Sequence, residues 1–273
     1  MQRFTLDGYE FKLNKDMKRY YGILLKKRMA WRSDYNAIAK WIDKNIDGGS
    51  YGDIGCGNGH MIAYLHGLGK KVWGVDAVEG FEQYVDKEVR QYVKRADLTK
   101  LHGLEKCDIA LCFEVAERIE EKYADLLIEN IASTGASTIL FTAAQPEKAG
   151  IVHINLQPRK YWLDKFSKFR YCLDAVLTEK FKDNLAKNIK NPIWYLDDIM
   201  ILQKCDNGKT VRAYEQAYNY IEDIKMKVED LTLKNKMLKH MEQAYWSQNQ
   251  HLNSILSSRR WIASTKLMRL IKK

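Results

Sequence analysis

Asp53-Ile54-Gly55-Cys56-Gly57-Asn58-Gly59 sets a carboxylate ahead of three glycines at alternate positions, directly before a stretch of helical character. Glycines so placed let backbone approach a ligand with no Cβ in the way. A dinucleotide cradle uses the spacing GxGxxG and rests its pyrophosphate on a helix N-terminus. Here the third glycine arrives one residue early and an acid precedes the first. That acid would repel a pyrophosphate, whereas a cationic ligand without phosphate would welcome it. Asp76 follows 23 residues after Asp53, where its two oxygens can accept from a pair of adjacent hydroxyls. Asp97 follows a third apolar run, and Phe113, Glu114 and Glu117 follow a fourth. Each acid also has a plain structural use, as a cap for Asp76 and Asp97 and as a first-turn acid for Glu114 and Glu117.

The elements that must hold these residues follow from periodicity. Short apolar runs at Tyr51–Ile54, Val72–Val75, Tyr92–Ala96, Ile109–Phe113 and Thr138–Ala143 read as strands separated by helical stretches. This rhythm predicts a parallel sheet with crossover helices. Phe169–Leu173 and a long strand over Trp194–Gln203 would close it antiparallel. From Asp16 to Ile46 apolar residues recur at helical spacing, which predicts a leader of one or two helices ended by Gly48-Gly49.

Beyond Asn207-Gly208 a 3-4 spacing runs without proline or glycine. One seam carries Ile221, Val228, Asn235, Glu242, Asn249 and Leu256, the other Ala217, Ile224, Leu231, Leu238, Tyr245 and Leu252. A coiled coil and a single long helix both fit. The expected organisation is a helical leader over 1–47, an α/β domain over 48–207, a coiled coil or long helix over 211–256 and a basic amphipathic tail over 257–273. A homo-oligomer formed through 211–256 and a peripheral contact of 257–273 with an anionic membrane are the expected partners.

Composition narrows the function classes. Hydrophobic residues make up 46% of the 273, with three prolines, so the chain should fold. Its net charge of +10 belongs to the ends: residues 1–40 hold ten basic and four acidic residues, and 211–273 hold twelve and six. The middle is therefore slightly acidic, which disfavours a nucleic-acid groove across it. No long apolar run or secretory leader is evident, and the five cysteines form no CxxC pair, so a reducing cytoplasm and no disulfide framework are expected.

The loop DIGCGNG resembles the first motif of the class I S-adenosylmethionine-dependent methyltransferases. The acids of KKVWGVDAVEG and YVKRADLTK, and CDIALCFEVAERI after them, resemble the successive strand-end motifs of that family. The resemblance implies a Rossmann-like, doubly wound, seven-stranded and mostly parallel sheet with S-adenosyl-L-methionine as cofactor. It would be bound by Asp53, Gly55, Gly57, Gly59, Asp76, Ala77, Asp97, Leu98, Phe113 and Glu114. The block FTAAQPEKAGIVHINLQPRKYWLDKF resembles a subset associated with bacterial surface-polysaccharide and glycoconjugate synthesis, through Ala143, Ala144, Pro146, His153, Asn155, Gln157, Pro158, Tyr161 and Trp162. This implies methyl transfer to an oxygen of a small-molecule or saccharide acceptor, in the cytoplasm or at the inner face of the membrane. Arg118 stands where relatives commonly carry a histidine, which leaves His153 as the best base and Glu117 as its companion on the acceptor side. A metal held by Glu114, Glu117 and His153 has no tight ligand spacing behind it, and none is assigned. An RNA or protein methyltransferase using the basic ends, and a non-catalytic scaffold acting through its coiled coil, are the competing readings. No Asn-Pro-Pro-Tyr-type or Pro-Cys motif speaks for amino methylation or for a cysteine nucleophile.

Overall fold

The structure, a computed structural model, describes residues 3–6, 9–12, 17–146, 148, 150, 152–191, 194–205 and 208–257. The chain divides into two compact units, Met1–Glu215 and Gln216–Lys273. In the first, β1 (Arg3–Leu6) and β2 (Tyr9–Lys12) pair as an antiparallel hairpin. This pair lies within the 1–47 expected as a helical leader, which therefore opens on a hairpin before its helices; the Asp7-Gly8 dipeptide between two alternating runs is a hairpin signal. Helices α1 (Met17–Arg28) and α2 (Arg32–Asn45) follow.

Seven strands then build one sheet: β3 (Ser50–Ile54), β4 (Lys71–Asp76), β5 (Val93–Arg95), β6 (Ile109–Cys112), β7 (Thr138–Phe141), β8 (Tyr171–Leu173) and β9 (Met200–Lys204). The order is β5-β4-β3-β6-β7-β9-β8, and β9 alone runs against its neighbours. The chain thus starts in the middle, winds outward to one edge, returns and winds to the other. Ligands of such sheets bind at the carboxyl ends of the strands where the order reverses, which here is between β3 and β6.

The crossover helices are α3 (His60–Gly67), α4 (Ala124–Ser133), α5 (Arg159–Ser167) and α6 (Ala175–Leu185). Adjacent residues of β7 show how both faces are covered. Leu140 joins the core shared with Ile38 and Ile42 of α2, Ile62 of α3 and Phe181 of α6, while Phe141 packs on Trp162 and Phe166 of α5. Residues of α1 and α2 sit in that shared core, so these helices are part of the domain rather than an appendage.

The long strand expected over Trp194–Gln203 is instead helix α7 (Trp194–Asp198) followed by β9. Buried Tyr195 and Ile199 lie one helical turn apart, joined by an Ile199 N–H to Tyr195 carbonyl bond of 2.9 Å. Reading the apolar residues on both sides of Asp197-Asp198 as one strand hid that period of four. The structure also joins Cys172 of β8 to Cys205 just past β9, with Cα atoms 6.1 Å apart, against the expectation of no disulfide. Antiparallel pairing of β8 with β9 brings together two cysteines 33 residues apart. Cys56, Cys107 and Cys112 are free and buried.

The second unit is built on α8, which runs over Gly208–Ser257 as 50 residues of continuous helix. Among the described residues its seam is exposed, with Ile224, Val228, Leu231, Leu238 and Tyr245 all open to solvent. The expected membrane-contacting tail falls on 258–273, outside the described residues. No helix among the described residues is long and apolar enough to cross a membrane.

Candidate active site

The carboxyl ends of β3, β4 and β6 open onto a cavity of about 320 Å³. Of the residues expected to bind cofactor, Gly55, Gly57, Asp76, Ala77, Asp97, Leu98, Phe113 and Glu114 line it. Helix α1 closes the other side with Tyr21, Leu24, Leu25 and Arg28. A narrow annex continues inward and is lined by Asp53, Asn58, His60, Tyr35, Tyr195 and again Arg28, Gly55 and Gly57. Gly59 is in neither wall; it is the left-handed N-cap residue of α3.

Local chemistry explains the loop. Gly55 has φ +83°, and a Cβ there would run into Val115, so the chain can pass close to the β6 end only as glycine. Asp76 fixes the turn: its Oδ2 accepts from Gly57 N–H and its Oδ1 from Val78 N–H, both at 3.0 Å. Each oxygen retains a second lone pair for a ligand hydroxyl. Burial raises the Asp76 pKa against the pull of these amide bonds. Asp97 is half-exposed and accepts from Thr99 N–H and Thr99 hydroxyl, which lowers its pKa.

The annex concentrates unsatisfied polar atoms. Asp53 Oδ2, Asn58 Oδ1, His60 Nε2 and Arg28 Nε are all buried without a hydrogen-bond partner, although such groups are nearly always paired in folded proteins. Burial, helped by the Asp76 charge, pushes the Asp53 pKa up to about 7. Around Arg28, burial opposes the charge while Tyr35, Tyr195, Glu114 and Glu117 favour it. His60 Nδ1 donates to Asp86 Oδ2 at 2.8 Å, and Arg32 holds the other Asp86 oxygen, so the ring is fixed in place.

The acceptor-side residues also meet. Glu114 has φ +59°, a sparsely populated conformation for a residue with a side chain, and its Oε1 accepts from the Thr142 hydroxyl at 3.0 Å. Ile154 and Asn155 N–H both donate to the Glu117 carbonyl, at 2.8 and 3.1 Å, which ties the segment after His153 to the Glu117 turn. His153 Nδ1 donates to the Lys148 carbonyl at 3.3 Å, so its Nε2 is the free lone pair, 3.9 Å from Glu117 Oε1. A side chain on Gly150 would collide with this ring. Burial and the Arg118 charge lower the His153 pKa, leaving a neutral imidazole at neutral pH. Glu117 is fully buried, and burial together with the Glu114 carboxylate raises its pKa. Glu117 and His153 lie behind the cavity wall, where Glu114, Arg118 and Ile154 face the open space.

The reading from sequence missed Arg28, Tyr21 and Tyr195, which carry no motif and reach the site only through the fold. His60 is a further residue of the annex that the sequence motifs do not single out. Asn58 and His60 sit inside and beside the glycine loop, and that placement was the available signal.

The family described as Methyltransferase domain matches residues 52–132, from β3 to the end of α4. No curated protein sequence matches the chain. Among solved structures, it is similar to magnesium protoporphyrin IX methyltransferase from Synechocystis PCC 6803 with bound SAH, at 15% identity over 65% of this chain and 84% of that one, with TM-score 0.48. It is also similar to a TehB-like SAM-dependent methyltransferase from Corynebacterium glutamicum, at 17% identity over 70% and 100% of the two chains, TM-score 0.48. A third is the O-methyltransferase of a trans-AT PKS multienzyme of Brevibacillus brevis, at 14% identity over 74% and 82%, TM-score 0.45.

Proposed function

We propose that the protein is an S-adenosylmethionine-dependent methyltransferase acting on an oxygen of a small-molecule or saccharide acceptor, in surface-polysaccharide or glycoconjugate synthesis. The annex is the observation that carries the cofactor half. Asp53 Oδ2 and Asn58 Oδ1 are acceptors without donors, and Arg28 Nε is a donor without an acceptor. An α-amino acid group brings an ammonium to the first two and a carboxylate to the last. The cavity beyond offers Asp76 to a ribose and Ala77, Leu98 and Asp97 to an adenine.

When bound, S-adenosylmethionine supplies an activated methyl group: the acceptor oxygen bonds to its carbon as the carbon–sulfur bond breaks, and the sulfonium keeps the electron pair as a thioether. The chain's own task is to align the acceptor and remove its proton. His153 is the candidate for the second part: its Nδ1–H is held by the Lys148 carbonyl, and its Nε2, which faces Glu117 behind the cavity wall, would turn toward the cavity to take the hydroxyl proton and pass it to solvent. The Asp198 carboxylate, whose charge favours protonation of the ring, stabilises the imidazolium that forms. The aromatic and apolar wall made by Tyr21, Tyr123, Ile119 and Ile154 suits a sugar face. The exposed seam of α8 supports pairing with a second copy, and the basic 257–273 segment a peripheral place on the inner, anionic face of the membrane.

Two measurements test this reading. Calorimetry with S-adenosylhomocysteine should give saturable binding at one site per chain. Transfer of radiolabelled methyl groups should mark saccharide hydroxyls; label on RNA or protein instead, or no cofactor binding at all, overturns it.

A further inference from the structure

Lone pairs of three residues converge behind the acceptor wall with no hydrogen bond between Glu117 and the other two. Both oxygens of Glu117 are buried and lack any hydrogen-bond partner. His153 points Nε2 at them from 3.9 Å, and with Nδ1–H committed to the Lys148 carbonyl this nitrogen is an acceptor too. Glu114 completes the group, so that one ligand atom from each of the three residues lies within 4.8 Å of the others. Adjacent ligands of one octahedral ion with bonds of about 2.1 Å are about 3.0 Å apart and opposite ones about 4.2 Å, so the side chains would close in by about 1–2 Å to share a single centre.

The neighbouring cations leave this need unmet. Arg118 Nε is 3.4 Å from Glu117 Oε1, but its N–H donates to the Glu114 carbonyl at 3.1 Å. Arg28 is close enough to favour both glutamates electrostatically without bonding to either Glu117 oxygen. Asp198 adds a further carboxylate, which Lys148 and Gln145 hold through Oδ1 at 3.0 and 3.1 Å, while its Oδ2 has no partner. Burying acceptors against acceptors is costly unless a proton or a coordinating cation lies between them, and burial raises the pKa of both glutamates.

We propose that Glu114, Glu117 and His153 bind a divalent cation of the Mg²⁺ or Mn²⁺ kind. Two carboxylates with one imidazole suit that class better than the thiolate-rich sets of soft metals, and three protein ligands leave coordination positions for water and for an acceptor oxygen. The fourth-strand segment and the segment after the fifth strand are then clamped by the ion as well as by the amide bonds to the Glu117 carbonyl. Cation binding stands apart from the methyl-transfer reading; only the ion's use, holding the acceptor oxygen in place of a free His153 base, rests on it.

The test titrates chelator-treated full-length protein with MnCl₂ alone, following the free-ion signal by electron paramagnetic resonance, and measures S-adenosylhomocysteine affinity separately. One Mn²⁺ should bind per chain and be displaced by excess Mg²⁺. Glu117→Gln and His153→Ala should each weaken it by about tenfold or more, with unchanged thermal melting. Wild-type protein that leaves Mn²⁺ free, or variants that bind it as tightly as wild type, overturn the proposal. Mn²⁺ binding without S-adenosylhomocysteine binding would uphold the cation site and sink the methyltransferase reading; the converse would do the opposite.

Discussion

The two halves of the cleft are built differently. The half proposed to bind the cofactor has a local centre: Asp53, Gly55, Gly57 and Asp76 lie at the ends of adjacent strands β3 and β4, Asp76 locks the glycine loop with amide bonds of 3.0 Å, and Arg28, Tyr35 and Tyr195 come to it from α1, α2 and α7. The acceptor half is assembled from distant pieces, with Glu114 and Glu117 after β6, His153 far along the chain and α1 closing over the top. A site made of neighbouring strand ends is fixed by the sheet. One made of separate segments depends on their docking, and it can vary without disturbing the first.

The sharpest way to break this comparison is His153→Ala. If the halves are independent, turnover should fall by roughly 10²–10⁴-fold while S-adenosylhomocysteine affinity stays within about twofold of wild type. Steady-state kinetics beside calorimetry reads both. Near-normal turnover at saturating acceptor would remove His153 from the chemistry, and a parallel loss of cofactor affinity would show that the halves are coupled.

Asp76→Ala should do the reverse, through the cofactor alone. It removes a charge-assisted acceptor worth about 1.5–3 kcal/mol, which is roughly a ten- to hundredfold loss in affinity. Because Asp76 also holds Gly57 and Val78 N–H, Asp76→Asn separates the two effects. It keeps one acceptor oxygen and should recover part of the loss. An unchanged dissociation constant in the alanine variant would take Asp76 out of the site.

The same contrast explains what could be read from sequence. Strand-end acids at regular intervals are a local pattern, so the parallel sheet and most of the cofactor wall were legible in Asp53, Asp76, Asp97 and Phe113. Arg28 has no motif; it becomes a wall residue only because α1 docks over the loop. Trp194–Asp198 was misread because it adjoins the apolar run of β9 and was read as one strand with it, and the packing of Tyr195 and Ile199 decides for helix. The grouping of Glu114, Glu117 and His153 was set aside for want of ligand spacing, since convergence across a loop leaves no spacing to see. The Cys172–Cys205 pair escaped for the same reason.

A smaller effect sharpens the cofactor half by pH. Asp53 has its pKa raised from 3.8 to about 7 by burial and by Asp76. Folding therefore favours its neutral form, and the stability this contributes is present below the unfolded value and lost as pH rises through about 7. Binding an ammonium has the opposite sign, because it needs the carboxylate. S-adenosylhomocysteine affinity should rise about tenfold between pH 6 and pH 8, and Asp53→Asn should bind weakly with a flat profile. A flat wild-type profile would mean that the ammonium is held elsewhere.

The final prediction leaves the cleft untouched and concerns α8, whose seam exposes Leu231 and Leu238 on one row and Val228 on the other. A lone helix with this much apolar surface in water gains little from burial, because most helical stability in proteins comes from packing an apolar face. Pairing seams supplies that packing, and Asn235, on the same row as Val228, is a polar residue of the kind that fixes register at some cost in stability. Replacing Leu231 and Leu238 together by Asp puts charges at the centre of such a seam. Light scattering should then fall to the mass of one chain, 31.9 kDa, while S-adenosylhomocysteine binding remains as in wild type. Full-length protein already at one-chain mass would exclude self-pairing through α8. A double variant that keeps its larger mass would move the contact off these residues. Loss of cofactor binding in a monomeric variant would show that the second copy is needed to build the cleft.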